Sequence, residues 1–393
     1  MEKSRVAIVR VENYKKETVA NGLDALLEML GGLKKIIPPA TRRILIKPNL
    51  MCGERWDTGI TVNLDLLTHL IKLIQNPGFN FIVGEGVGWG VSSQDAFEKC
   101  GAKRVFEELR LPLYDFKSGR TTEVKIPGKK LKKVVVAEEI LGCDFIISVA
   151  KLKTHCETVA SLSLKNMKGI VARDQDRLAF HLLDVNQCLV DLNKVFKPDL
   201  AIVEGLIGLE GIGPFKPGRP KDLGILIAGK DPVAVDSTCC RIMRLNPEEV
   251  KHIKLAGEQG LGKIDPGDIE VSGERLEEVT PESFEKPPLT IEGISPYKEI
   301  KVVAGNPCSN CVAGLASYLH GYLRKEVVGK SVRSIKILIG ARAKARLTGD
   351  EIALGNCLKR YQGKIPFCPG CPPPSDVYLK LVEDGLQGNL KSE

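Results

Sequence analysis

Five cysteines crowd the last quarter of this 393-residue chain, as Cys308-x2-Cys311, Cys357 and Cys368-x2-Cys371. A C-x2-C loop turns two sulfurs toward one centre. Two such loops brought together supply four thiolates, enough for Zn²⁺ or for an iron–sulfur cluster. The two pairs are far apart in sequence, so the fold must join them. The second pair lies in "IPFCPGCPPP", a stiff stretch half made of proline. There the prolines hold the loop rigid and dry, and Gly370 lets the backbone approach an inorganic core. Five thiols are one more than a structural zinc site uses, which favours a cluster of the [4Fe–4S] kind; zinc is the competing metal. The other seven cysteines, Cys52, Cys100, Cys143, Cys156, Cys188, Cys239 and Cys240, are scattered and read as small buried apolar residues.

A second chemical grouping is "KLKTHCETVASLSLKNMKG", residues 151–169. If 155–165 is extended, two-residue alternation puts His155, Glu157, Val159, Ser161, Ser163 and Lys165 on one face. Such a face is either a solvated edge or the lining of a cleft for a small anionic or oxygen-rich ligand, and its place directly after an apolar strand favours the cleft. His155 and Lys165 would act on that ligand, with His155 able to transfer a proton. "KPNL" ends another strand, where ligands of parallel sheets gather, so Lys47 and Asn49 join Asn166 in positioning it. The competing readings are structural: Pro48 simply stops its strand, and His155 is a hydrogen-bonded core residue. Asp231 caps the helix that starts at Pro232, and Asp236 lies within that helix. "GEGVGWG" (84–90) offers backbone N–H groups to an anion but does not fit the dinucleotide fingerprint. No Ser/His/Asp order, H-E-x-x-H, Walker A or nucleophile elbow is present.

The elements that must position these groups alternate. Strands are expected over 5–11, 42–50, 79–86, 143–152, 199–208 and 223–232, and helices over 19–33, 63–75 and 93–109. Several strands are apolar nearly throughout. The pattern predicts an α/β fold, a largely parallel sheet with helices on both faces, plus a small C-terminal cysteine-rich metal or cluster domain. Residues 281–300, rich in proline and poor in periodicity, read as a linker between an α/β domain (1–280) with a ligand cleft and a basic domain (301–393).

Apolar content of 43% with 27% charged residues is that of a soluble globular protein. No apolar run reaches membrane-spanning length, and the N-terminal residues lack a signal-peptide core, so a cytoplasmic protein with reduced thiols is expected. Residues 301–393 hold 14 Lys and Arg against 7 Asp and Glu, a net +7 of the chain's +8. A basic cluster domain favours an acidic electron carrier, such as a ferredoxin or flavodoxin, as partner. A zinc-stapled module that binds nucleic acid or protein is the alternative, disfavoured by few aromatic residues for base stacking.

Taken together, "KPNL" with "TVNLDLL", "GEGVGWG", "KLKTHCETVASLSLKNMKG", "GLEGIGP", "DPVAVDS" and "AGEQGLGKID" resemble the DUF362 family across roughly residues 40–272. The His-x-x-Thr plus Leu-Lys-Asn-x-Lys-Gly motif falls on His155, Thr158, Leu164, Lys165, Asn166, Lys168 and Gly169, and the resemblance adds Thr158 and Lys168 to the ligand-binding set. It implies an iron–sulfur protein of the kind described from anaerobes, an electron-transfer protein or oxidoreductase of unassigned reaction. Family members commonly carry closely packed ferredoxin-type cysteines, whereas these five are spread over residues 308–371. Locally, "PGCPPP" resembles the cluster loop of nickel–iron hydrogenase small subunits and respiratory complex I, and "CPGC" resembles a zinc-knuckle turn.

Overall fold

The computed structural model describes residues 2–88, 90–323, 328–329 and 333–390. They form two compact units: Met1–Thr154 with Ala160–Glu210 and Arg219–Lys286, and His155–Val159 with Gly211–Gly218 and Pro287–Glu393. Two short segments from inside the range that the sequence assigns to the first domain therefore fold with the second unit.

The strands of the first unit are β1 (Ser4–Arg10), β2 (Ile44–Pro48), β3 (Phe81–Glu85), β4 (Leu113–Asp115), β5 (Thr121–Lys125), β6 (Lys133–Ala137), β7 (Phe145–His155), β8 (Val159–Ser161), β9 (Leu200–Glu210), β10 (Arg219–Gly229) and β11 (Ile269–Gly273). A small ribbon pairs β5 with β6, and the main sheet runs β11-β1-β10-β9-β7-β2-β3-β4, with β8 beside β7. Along the main path β10 runs against its neighbours β1 and β9, while the pairs β1–β11, β9–β7, β7–β2, β2–β3 and β3–β4 are parallel. The α/β, largely parallel expectation therefore holds, and β10 is reversed because β9 reaches it through a short connection rather than a crossover. Every residue of β2 and β7 is buried, as strands covered on both faces must be. Neighbouring residues show the two covers: Ile44 and Ile46 join one core with Leu66, Leu70 and Ile74, while Leu45 joins another with Phe180, Cys188 and Leu189. Helix Leu64–Gln75 starts where the Asn63 side chain accepts from the N–H groups of Asp65 and Leu66, and Asp231 caps the helix at Pro232 as expected.

The second unit carries β12 (Ile300–Ala304), β13 (Ile335–Ile339), β14 (Glu351–Leu354) and β15 (Phe367–Cys368) in the order of the chain. All three pairings are parallel. Its core includes Ile300, Val312, Tyr318, Ile337, Leu354 and Val382, and also Cys156 and Ile212 from the two early segments.

Candidate functional site

In the main sheet the chain steps outward from the β2–β7 pair on both sides, to β3 and β4 on one and to β9 on the other. That is a topological switch point, and the crevice beyond its strand ends is where ligands of such sheets bind. Lys47 at the end of β2 is fully buried, and its ammonium lies 2.8 Å from Glu85 Oε1. It also donates to the Pro48 carbonyl and to Asn166 Oδ1. Asn166 in turn donates to the Lys47 carbonyl and to Ser148 Oγ, so one amide bridges the end of β2 to the body of β7. Glu85 Oε2 accepts the Leu50 N–H. On β7, Lys151 donates to Glu204 Oε2 (2.6 Å) and to the Trp56 carbonyl. Burial pulls the Lys47 and Lys151 ammonium groups below the usual lysine range, while Glu85 and Glu204 oppose it. Gly169 explains the last position of the motif: a Cβ there would lie 2.2 Å from Glu85 Oε1 and 2.6 Å from Lys47 Nζ. Glycine is what lets this turn close over the ion pair.

Lys153 differs from its neighbours. Its ammonium donates to Asn49 Oδ1 (2.6 Å), the Ile60 carbonyl (2.7 Å) and Met51 Sδ (3.0 Å), all neutral groups. Burial, reinforced by the charges of Lys165 and Lys151, lowers it to about 7. Lys47, Asn49 and Asn166 thus come together at the switch point. Lys165 adds its charge to Lys153, while Lys168 pairs with His181 Nε2 at 2.7 Å.

The single extended face over 155–165 does not form. Residues 156–158 are a turn, Val159 has a positive φ of 65°, and Ser163–Asn166 is a short helix. The physical cause is Asp236: its buried carboxylate accepts the N–H groups of Ser163 and Leu164 at 2.8 and 2.9 Å and fixes the helix start. Within the 155–158 turn, His155 Nδ1 accepts the N–H groups of Glu157 and Thr158. The neutral ring then carries its proton on Nε2. His155 and Thr158 belong to the second unit, whereas Lys47, Asn49, Lys165, Asn166 and Lys168 belong to the first.

In the second unit the cysteines follow the ends of parallel strands. Cys308 and Cys311 come after β12, Cys357 after β14, and Cys371 after β15. Cys308 stands at the N-cap of helix Ser309–Ser317. Its thiol is lowered to about 7, first by the hydrogen bond from Cys311 and then, against burial, by the backbone N–H groups of Cys311 and Asn310. Cys311 is pushed far up by that same bond, by burial, and by the charges of Cys308, Cys357 and Cys371. Burial raises Cys357 and Cys371 too, each with Cys308 adding to it. Four thiols in mutual electrostatic reach resist ionising together, and a bound cation relieves that cost. Gly355 sits among them with φ +96°, and a Cβ there would meet Cys357 Sγ at 3.7 Å and Cys311 Sγ at 3.9 Å. A cleft lined by Cys311, Ile339, Leu354, Pro372, Pro373 and Tyr378 adjoins the set. Cys368 stands apart: it is fully buried in the apolar core beside Leu354 and Tyr378 and donates to the Pro369 carbonyl. Among the described residues, no three His, Cys, Asp or Glu side chains converge tightly enough to hold one metal ion.

Sequence reasoning missed Glu85, Lys151, Lys153, Glu204 and Arg177. Arg177 is buried and donates to the Val171 and Gly169 carbonyls. A signal for the other four was available: each is a charge inside an otherwise apolar strand, "FIVGE", "SVAKLKT" or "AIVEGL". A charge buried there must find a partner.

Residues 44–241 match the family model described as a domain of unknown function, DUF362. A thylakoid-associated protein of Synechocystis sp. is 28% identical over 263 residues, which cover 65% of this chain and 79% of that protein. The lactate racemase apoprotein from Thermoanaerobacterium thermosaccharolyticum overlaps 62% of this chain and 57% of its own, at 10% identity and a TM-score of 0.39. The match at 44–241 takes in the switch-point residues from Lys47 to Asp236 and stops before all five C-terminal cysteines. Over the half of the chain that holds the buried lysine site, this protein belongs to the DUF362 family.

Proposed function

We propose that the protein is an iron–sulfur redox protein of a reducing compartment, the cytoplasm, and that its family domain binds a small anionic ligand at the β2–β7 switch point. Cys308, Cys311, Cys357 and Cys371 would hold the cluster, and Cys368 would pack beneath it. The observation that carries this reading is the placement of four thiols, from three separate loops, at the carboxyl ends of one parallel sheet and within each other's field. Such a cluster supplies one-electron chemistry. The chain's own part is to hold Cys371 in the stiff proline-rich loop and to present N–H groups at the Cys308 helix start.

The ligand reading rests on charge. Lys153 is buried against neutral partners, with Lys151 and Lys165 adding to its field. An anion supplied from solution would compensate it. Lys47, Asn49, Asn166, Lys165 and Lys168 remain the positioning set. His155 and Thr158 form a turn of the second unit, and the bonds to His155 Nδ1 leave Nε2 as its proton-bearing atom.

The test is anaerobic purification followed by iron, acid-labile sulfide and zinc assays with a visible spectrum. Iron and sulfide in equal amounts, with broad absorption near the violet, are expected. Zinc without sulfide would overturn the reading in favour of a stapled binding module.

A further inference from the structure

The connections that leave the cysteine end of the small sheet carry one sign of charge. Segments 340–349 and 355–374 hold Arg342, Lys344, Arg346, Lys359, Arg360 and Lys364, and no Asp or Glu. The loop before Cys308, residues 305–307, is uncharged. The acids of this sheet lie at its opposite end, where Glu351 pairs with Lys336 at 2.9 Å and Asp350 lies 3.9 Å from Arg333.

Arg360 binds the two positive segments into one surface. Its guanidinium donates to the Ala341 carbonyl at 2.8 Å, to the Ala343 carbonyl, and to the Cys357 carbonyl at 3.3 Å. Residues 341–343, with Arg342 among them, are thereby held beside Cys357. Arg342, Lys344, Arg346 and Lys359 are exposed, as are Cys357 and Cys371. On the Cys308 side, the Glu157 carboxylate accepts from Ser309 and offsets only part of this charge. The Tyr361 ring lies under Arg360 at 4.9 Å and donates its hydroxyl to the Ala343 carbonyl. It is not presented for base stacking, which favours a protein over a nucleic acid.

We infer that this face docks an acidic one-electron carrier protein over the exposed Cys357 and Cys371. The inference rests on the cluster reading above. A cluster held by Cys308, Cys311, Cys357 and Cys371 would accept the single electron that oxidises the carrier, with no bond made or broken. A complementary field raises the encounter rate, fixes the orientation of docking, and fades with salt.

The test measures binding, not turnover. Anaerobically purified protein is titrated with an acidic [2Fe–2S] ferredoxin at low and at physiological salt. Compared with it are an Arg342→Ser/Lys344→Ser/Arg346→Ser variant and a control, Lys34→Ser/Lys35→Ser, on an exposed helix of the first unit. Iron content is assayed on every sample. Expected is a Kd raised about tenfold at low salt in the triple variant, with the control unchanged and the difference shrinking as salt rises. Equal affinity in the triple variant, or equal loss in the control, overturns the inference. So does single-stranded DNA that binds this face more tightly and displaces the ferredoxin. Iron present without ferredoxin binding sinks the docking surface and leaves the cluster reading standing. Binding lost in the triple variant of an iron-free protein upholds the surface and removes the cluster reading.

Discussion

At the scale of single residues, the cysteines are separable by environment. Cys308, Cys311, Cys357 and Cys371 feel one another's charge, whereas Cys368 packs in the apolar core. On the proposed [4Fe–4S] cluster, Cys308→Ala, Cys357→Ala and Cys371→Ala are each expected to bring iron from about four atoms per chain to near zero. Cys368→Ala should keep the iron and lose about 1 kcal/mol of stability, as buried truncations do. Full iron in the Cys357 and Cys371 variants, or its loss in the Cys368 variant, would undo this assignment. Lys153 makes a second residue-level prediction. Its folded value, about 7, lies below its unfolded value of 10.5. Between those pH values the unfolded chain holds the extra proton, so stability rises with pH there, by about 1.4 kcal/mol per pH unit at most. The penalty is complete below pH 7 and gone above the unfolded value. In Lys153→Met this rise should flatten. Urea melts from pH 7 to 10 measure it, and parallel curves for the two proteins would show that the Lys153 ammonium keeps its proton in the folded chain. The cysteine pattern was legible because metal spacing is local. The pairing of Lys47 with Glu85 was not, because it joins two strands that meet only in the folded sheet.

At the scale of elements, the alternation of apolar runs foretold β1, β2, β3, β7, β9 and β10. Helix Ser163–Asn166 escaped because its start depends on Asp236, some seventy residues away. A four-residue helix has too little local propensity to announce itself. The turn that follows, Met167–Ile170, presses Gly169 onto the Lys47–Glu85 pair. Gly169→Ala would drive a methyl group into two buried charged atoms with no free space, so a loss of about 1–3 kcal/mol is expected. Gly321→Ala, where a Cβ would meet nothing within 4 Å, should change stability by a few tenths at most. Denaturant melts compare them. Similar losses in both variants would mean that the close approach at Gly169 does not constrain the site.

At the scale of the whole molecule, what matters is how many pieces of chain build the cysteine unit. A reading along the sequence places a linker at 281–300 and predicts that cutting it frees an iron-holding fragment. The structure assembles that unit from three segments: His155–Val159, Gly211–Gly218 and Pro287–Glu393. Cys156 and Ile212 lie in its core beside Tyr318 and Ile337. Cys156 N–H donates to the Gly213 carbonyl at 2.7 Å, Ser317 Oγ to the Lys216 carbonyl at 2.8 Å, and Ser309 Oγ to Glu157 at 2.6 Å. Such returns of the chain leave no trace in composition, since each is only five to eight residues long. They change what proteolysis should do. Glu292 is exposed, and cleavage after it by a glutamate-specific protease should give two fragments on a denaturing gel. Under native conditions the same sample should elute at the size of the intact chain, together with the iron of the proposed cluster, because the N-terminal fragment carries two of the three segments that build the unit. The nicked protein should part only in denaturant, when the shared core is lost. Elution of a small, iron-bearing C-terminal fragment without denaturant would show instead that residues 293–393 hold the cluster unaided.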